Sequence, residues 1–237
     1  MRIGMVTDDY IALILVYLII ACSLGLAMLA EKRTTWNTRK IVHIGVGTFV
    51  FVWWMFSEYW IMLVFFTIPF AIILFLAMLK DNKIANSKLG ELSKDKGHKT
   101  GLFLYAITIT IMVIFFFGEH WTAASVGIMA MTWGDGMGSV IGKKYGKHKG
   151  LRGKSLEGSL AVFAATAIMA MVVMLFYSFL ASNGYFAYGA YDACIPMWAA
   201  ALLAGAIASV LEAICPGEVD NLAIPIVVAL AMVAIGM

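Results

Sequence analysis

The chain has 237 residues and a net charge of +3; 62% of its residues are hydrophobic and only 13% are charged. Soluble domains carry about 25% charged residues, so this composition excludes an ordinary water-soluble protein and predicts an integral, multi-pass membrane protein. The three cysteines, Cys22, Cys194 and Cys215, lie far apart in apolar sequence. Their spacing fits neither a disulfide framework nor a metal site, and we interpret them as apolar packing residues.

Apolar segments follow one another along the whole chain. A helix needs about 20 apolar residues to cross the hydrocarbon core of a bilayer. Eight segments approach this length, and the second and last are the shortest: 10–30, 41–57, 60–79, 101–118, 121–142, 156–181, 195–214 and 221–237. The predicted fold is therefore all-α, a transmembrane bundle of about eight helices that forms one catalytic domain, 1–237.

The positive charge is concentrated in three of the loops. Loops 31–40, 80–100 and 143–155 contain sixteen of the seventeen Lys and Arg residues, and alternating helices place these loops on one side of the membrane. By the positive-inside rule that side is cytoplasmic, so both termini are predicted to lie outside. The same cations would attract anionic lipid, which is the simplest interpretation of loop 80–100.

The second apolar segment begins with a basic cluster. His43 lies four residues after Arg39 and three after Lys40, so all three side chains share one face of a helix. A single histidine near a helix end is often only an interfacial polar residue. Its basic neighbours make a binding role the better hypothesis here.

The fifth segment contains a carboxylate, Asp135, about seven residues inside its end. An acid at this depth costs about 2.5–3.5 kcal/mol on insertion scales, and it normally faces the protein interior or a wet cavity. We expect a metal-binding or substrate-binding role, with a buried, hydrogen-bonded aspartate as the alternative. Glycines recur here every fourth residue, a pattern that allows a neighbouring helix to pack closely. They are Gly134, Gly138, Gly142 and Gly146.

The basic loop that follows ends in Gly153-Lys154-Ser155, like the end of a phosphate-binding P-loop. That motif requires a glycine where this chain has His148, and no strand precedes the loop, so we reject it. Phosphate binding is still predicted, because Ser155 can cap the sixth helix and the positive end of the helix dipole would face the loop cations. Glu157 lies among these bases and would repel a bound phosphate unless a divalent cation such as Mg²⁺ lay between them. The alternative is that this acid in the first turn only stabilises the helix dipole.

The last two segments add further acids. Glu212 lies within the seventh segment, and Asp220-Asn221 begins the eighth, where Asp220 could also be a plain helix cap. Acids and bases from distant segments thus approach the same membrane side. This convergence predicts a cytoplasmic active site for anionic phosphates, a divalent cation and a membrane-bound acceptor.

These motifs resemble those of the polyprenol kinase family, which includes dolichol kinases, phytol kinases and CTP-dependent diacylglycerol kinases and is distantly similar to phosphatidate cytidylyltransferases. The matching residues are Arg39-Lys40 with His43, Gly134-Asp135-Gly136, Gly142-Lys143-Lys144-Tyr145-Gly146, Gly153 to Ser159, Glu212, and Asp220-Asn221-Leu222 with Pro225; Glu91 with Lys99-Thr100-Gly101 is a weaker match. The resemblance implies transfer of the γ-phosphoryl group of CTP to a lipid alcohol of the polyprenol, phytol or geranylgeraniol type, with Mg²⁺.

The resemblance also implies roles for individual residues. The expected catalytic residues are Asp135, His43 and Lys154, where either Asp135 or His43 is the base. The expected nucleotide-binding residues are Lys40, Gly134, Gly136, Lys143, Arg152, Ser155, Gly158, Ser159 and Asn221. The expected metal ligands are Asp135, Glu157, Glu212 and Asp220.

Two other functions stay open at this point. One is a cytidylyltransferase that forms a CDP-lipid. The other is an anion transporter or channel, which would need a polar path across the membrane; the few ionisable residues in the outer halves of the helices argue against it. The expected setting is a prokaryotic cell membrane, with anionic lipid at the basic face, no nucleic-acid partner, and a homodimer as an open alternative.

Overall fold

The computed structural model describes residues 5–31, 38–79, 83–84, 86–87 and 100–237. Most of these residues are helical, and none belongs to a named strand; the described part of the chain has one isolated bridge, between Lys149 and Ser155. The predicted all-α fold is confirmed. Most of loop 80–100, including Glu91 and Lys99, lies outside the described residues.

Within the described residues, eight helices occupy the eight predicted segments. They are α1 (Thr7–Glu31), α2 (Thr38–Gly47), α3 (Tyr59–Met78), α4 (Gly101–Phe116), α5 (121–145), α6 (Leu156–Ser182), α7 (Met197–Ile214) and α8 (Asp220–Ala234). Helices α1, α3, α6 and α7 are long and apolar enough to cross a membrane, and α4 and α8 are shorter apolar helices. Crossing by all eight helices and the outside location of both termini stay predictions.

The second segment is the least regular of the eight. Its α-helix ends at Gly47, well before the predicted end of the segment, and two 3₁₀ turns follow, Thr48–Phe51 and Trp53–Met55. The chain then extends through Phe56 towards the start of α3.

Two helices contain a π turn. In α3 the turn Leu63–Thr67 precedes Pro69, which has no N–H for the carbonyl group of Phe65. The hydroxyl group of Tyr17 donates a hydrogen bond to that carbonyl oxygen, so the missing donor is replaced by a side chain. In α5 the π turn Ala130–Gly134 ends directly at Asp135.

The described chain divides into two compact units. The first contains the described residues of Met1–Phe115 together with Gly217–Asn221, and the second contains Phe116–Pro216 with Leu222–Met237. The prediction of a single catalytic domain is not tested by this division and stays a prediction.

In the first unit, α1 packs against α2, and Gly45 lies so close to Ser23 that a side chain there would collide with the Ser23 hydroxyl group. Asp9 is fully buried; its carboxylate accepts hydrogen bonds from Ser57 N at 2.7 Å and Ser57 Oγ at 2.8 Å. These bonds fix the beginning of α1 to the turn before α3.

In the second unit, α6 packs against both α5 and α7. The side of α6 that is buried carries mostly small and medium-sized residues, among them Ala161, Val162, Thr166 and Ala170. This arrangement places the start of α6, with the loop before it, beside the end of α5 and the end of α7.

Candidate active site

Asp135 follows the π turn of α5 and is buried, with 7% of its surface exposed. Gly134 and Gly136 on either side are also buried. A π turn shifts the register of the helix, and such turns are frequent at functional sites. The expectation that Asp135 faces the protein interior is therefore met, whereas its catalytic and metal-binding roles stay predictions.

The glycine stripe of α5 forms a helix contact with α6. A Cβ atom on Gly134 would collide with Thr166 Oγ1, and one on Gly138 would collide with Val162 Cγ2. On the other helix, a Cβ atom on Gly158 would lie 3.1 Å from the carbonyl oxygen of Gly138. Close packing accounts for Gly134 and Gly158 without a ligand, and their predicted nucleotide-binding role stays a prediction.

The loop between α5 and α6 folds back on itself. The amide of Gly150 donates to the carbonyl of Lys154 at 2.6 Å, and the amide of Leu156 donates to the carbonyl of His148 at 3.0 Å. Arg152 at the tip has φ = +51°, an unfavourable angle for a residue with a Cβ atom. The exposed cations of this segment are Lys143, Lys144, Lys147, Lys149 and Arg152.

Ser155 caps α6, as predicted: its hydroxyl group accepts a hydrogen bond from Gly158 N at 3.1 Å. The amide of Ser159 bonds to the carbonyl of Ser155, and that of Leu156 bonds to the preceding loop. Three of the amides at the start of α6 are thus bonded within the chain. A phosphate group bound by this helix start would have to replace some of these bonds.

Glu157 forms a close side-chain contact with His148 that was not predicted. Its Oε1 atom lies 2.7 Å from His148 Nδ1, and both carboxylate oxygens lie 3.3 Å from the amide nitrogen of His148. The His148 side chain is largely exposed. The sequence marked His148 only as the residue that breaks the P-loop motif, and no pattern indicated that it pairs with Glu157.

Lys154 and Glu212 form an ion pair in this unit. The Lys154 Nζ atom lies 2.9 Å from Glu212 Oε1 and also donates to the main-chain carbonyl of Glu212. The other carboxylate oxygen, Oε2, accepts a hydrogen bond from Ser159 Oγ at 3.2 Å. The sequence selected all three residues, but it assigned them to three different roles.

The first unit contains a separate polar cluster around Glu218. Arg39 Nη2 lies 3.0 Å from Glu218 Oε1, and Thr100 donates to Oε2 from its amide at 2.9 Å and from its hydroxyl group. Gly101 has no room for a side chain beside the Arg39 guanidinium group. Burial would raise the pKa of Glu218, but the Thr100 hydrogen bonds and the Arg39 charge outweigh it and hold that pKa below its usual range. Sequence reasoning did not select Glu218.

Further polar residues of the first unit are also buried. The ring of His43 lies 4.6 Å from the ring of Tyr105, and the amide of Asn221 donates to Asp220 Oδ1 at 2.9 Å. Thr108 Oγ1 donates a hydrogen bond to the main-chain carbonyl of Asn221. That carbonyl lacks its usual helix donor, because the residue four positions later, Pro225, has no N–H. Neither the Tyr105 hydroxyl group nor Asn221 Oδ1 has a hydrogen-bond partner among the residues that the structure describes. Lys40 is partly buried.

The acids in the described part of the chain do not form a cage for a metal ion. Among the residues that the structure describes, no group of three or more His, Cys, Asp and Glu side chains could hold a metal ion. Mg²⁺ in nucleotide enzymes usually needs only one or two carboxylates, with substrate phosphates and water as its other ligands. The donor set fits that kind of site, and the four predicted metal ligands stay a prediction.

The two units each contribute part of the predicted site. Asp135, Lys154, Glu157 and Glu212 belong to the second unit, whereas His43, Asp220 and Asn221 belong to the first. Within each unit the structure brings residues from distant parts of the chain into contact. One pocket shared by all of them stays a prediction.

Comparison with known proteins finds two relatives with the same activity in their names. A phytol kinase of Synechocystis sp. is 33% identical over 150 residues, which cover 60% of this chain and 60% of that protein. A probable chloroplastic phytol kinase of Zea mays is 28% identical over 218 residues, or 84% of this chain and 67% of that protein. No family profile matches the chain, and no solved structure is similar to it. The chain thus matches less than two thirds of the length of the Synechocystis protein.

Proposed function

We propose that this chain, whose two phytol kinase relatives support its membership of the polyprenol and phytol kinase family, phosphorylates the hydroxyl group of a lipid alcohol. The single observation that carries the proposal is the similarity to two proteins named for this activity. The composition agrees with it, since several helices are apolar and long enough to lie in the same bilayer as such an alcohol.

The proposed phosphoryl donor is CTP. Five exposed cations flank the start of α6, and they can neutralise much of the charge of a triphosphate: Lys143, Lys144, Lys147, Lys149 and Arg152. Phosphoryl transfer depends mainly on positioning and on charge neutralisation, which suits this inventory. We further propose that these residues face the cytoplasm and that the protein lies in a prokaryotic cell membrane.

The proposed reaction needs a base and no covalent intermediate. The alcohol oxygen bonds to the γ-phosphorus atom while the bond to the β–γ bridging oxygen breaks, which gives a lipid monophosphate and CDP. The alcohol proton passes to a carboxylate or an imidazole, and Asp135 and His43 are the two candidates. Mg²⁺, when bound with the nucleotide, would supply further neutralisation of the phosphate charge.

The decisive experiment uses two labelled nucleotides. Purified protein in vesicles is incubated with Mg²⁺, with a panel of alcohols (phytol, geranylgeraniol, a polyprenol and a diacylglycerol) or with their monophosphates, and with CTP labelled at either the γ or the α phosphorus. A kinase transfers the γ label into lipid. Transfer of the α label would instead indicate a cytidylyltransferase, and saturable anion flux without nucleotide would indicate a transporter.

Asp135→Asn tests the proposed centre. We expect it to reduce transfer at least about 100-fold, since loss of a general base typically costs 10²–10⁴-fold. The matched control is Asp192→Asn, the same change at an exposed residue, which should leave the rate near that of the wild type. Near-normal activity of Asp135→Asn would remove Asp135 from the mechanism.

A further inference from the structure

We propose that Glu212 is a positioning residue that holds the Lys154 ammonium group in place for the transferred phosphoryl group, and that it is not a metal ligand. The inference rests on the proposed kinase function. It replaces the metal-binding role that the sequence suggested for Glu212 with a role defined by its contacts.

Both carboxylate oxygens of Glu212 are already engaged. Oε1 lies 2.9 Å from Lys154 Nζ, and Oε2 accepts a hydrogen bond from Ser159 Oγ at 3.2 Å. A metal ligand must turn an oxygen towards its ion, and an ammonium group at 2.9 Å would repel a divalent cation there. The Glu212 carboxylate is therefore better placed to neutralise Lys154 than to bind Mg²⁺.

The end of α7 explains why these two residues occur together. Glu212 lies in the last turn of α7, which ends at Ile214, where carbonyl groups lack helix partners and the dipole end is negative. An acid is unfavourable at that end, whereas a lysine is favourable. Lys154 donates to the Glu212 carbonyl oxygen as well as to its side chain. One ammonium group therefore caps the helix and neutralises the acid.

Exposure separates the roles of the two side chains. Lys154 keeps 26% of its side chain exposed, whereas Glu212 keeps 9%. Part of the Lys154 side chain can thus be reached by a substrate phosphate, whereas the Glu212 side chain is nearly buried. A lysine side chain is flexible because of its four-carbon stem. An ammonium group already held by Glu212 loses less conformational entropy on binding the phosphoryl group than an unanchored one would.

Glu212→Gln is the test, because the amide keeps the size and the hydrogen-bond acceptor but removes the charge. We expect kcat to fall about tenfold, KM for CTP to stay within twofold, and the Mg²⁺ concentration for half-maximal activity to stay unchanged. Glu212→Asp should recover part of kcat. In a Lys154→Ala background, Glu212→Gln should have no further effect on kcat, because the group that it positions is gone.

Ser209→Ala is the matched control. Ser209 lies one turn before Glu212, and its hydroxyl group donates to the main-chain carbonyl of Ser159 at 2.8 Å. It should retain wild-type kcat. Melting temperatures of all variants separate lost folding from lost rate.

Two results would overturn the inference while wild-type kinase activity stands. One is a several-fold rise in the Mg²⁺ requirement of Glu212→Gln, which is the behaviour of a metal ligand. The other is a kcat of Glu212→Gln and Glu212→Asp equal to that of the wild type. Absence of γ-label transfer by the wild-type protein would instead refute the proposed function, and the inference with it.

Discussion

Replacement of Glu218 by alanine should destabilise the first unit strongly. The Glu218 carboxylate is 11% exposed, and it accepts hydrogen bonds from Arg39 Nη2 and from both the amide and the hydroxyl group of Thr100. Glu218→Ala would remove the ion pair while Arg39, which is 10% exposed, stays buried. Removal of one partner of a buried ion pair lowers the free energy of unfolding by about 3–5 kcal/mol. Because both side chains are slightly exposed, we expect a loss of about 3 kcal/mol for Glu218→Ala.

The expected loss can be measured as a melting temperature. For a chain of this size each kcal/mol corresponds to about 2–4 °C, so Glu218→Ala should melt about 6–12 °C below the wild type in detergent micelles. The control is Glu119→Ala, which removes an exposed acid and should shift melting by less than about 2 °C.

A double mutant tests the cause of this loss. Arg39→Ala with Glu218→Ala should be less destabilised than the sum of the two single variants, because the pair is removed as a whole. Melting of Glu218→Ala within 1 °C of the wild type, or strictly additive losses, would refute the reasoning.

Three further measurements test two other contacts and the charge of Glu218. Gly127→Ala should lower the melting temperature by several degrees because its Cβ atom would strike a backbone carbonyl oxygen, whereas Gly25→Ala, with open space around it, should leave it equal or slightly higher. Thr108→Val should cost about 1 kcal/mol, or 2–4 °C, because the buried carbonyl oxygen of Asn221 loses its donor. The folded-state pKa of Glu218 is depressed, so its stabilising effect should be present above pH 4.5 and lost as the pH falls further; melting of Glu218→Gln should depend less on pH in that range.

The helices could be located from the sequence because the signal is local. A segment that crosses a bilayer must be apolar over a fixed length. Whether a segment meets this requirement can be read from its own residues, without knowledge of the rest of the chain. The boundaries of α3, α4, α6 and α7 agree with the predicted segments within about two residues. The second segment differs because it continues as 3₁₀ turns after Gly47.

The site was predicted less completely, because its residues were found by type and not by contact. The buried position of Asp135 and the capping role of Ser155 were expected, whereas the burial of Glu212 was found only in the structure. Glu218 and His148 were not selected, since an acid in a loop and a histidine among lysines carry no pattern that predicts a partner. Gly101, directly after Thr100 at the start of an apolar helix, is the residue that could have indicated a close approach to Arg39 and Glu218.

By itself, the sequence determined that the chain is helical and apolar enough for a membrane, that most of its basic residues lie in three loops, and that acids lie within its apolar segments, because composition and hydrophobic length are properties of the chain itself. Only the tertiary structure decided which charges meet: Arg39 with Glu218 across 179 residues, and Lys154 with Glu212 across 58. It also decided that the glycine stripe of α5 is filled by α6. Such pairings depend on which helices pack together, and that choice is made by the free energy of the whole fold and by no single segment.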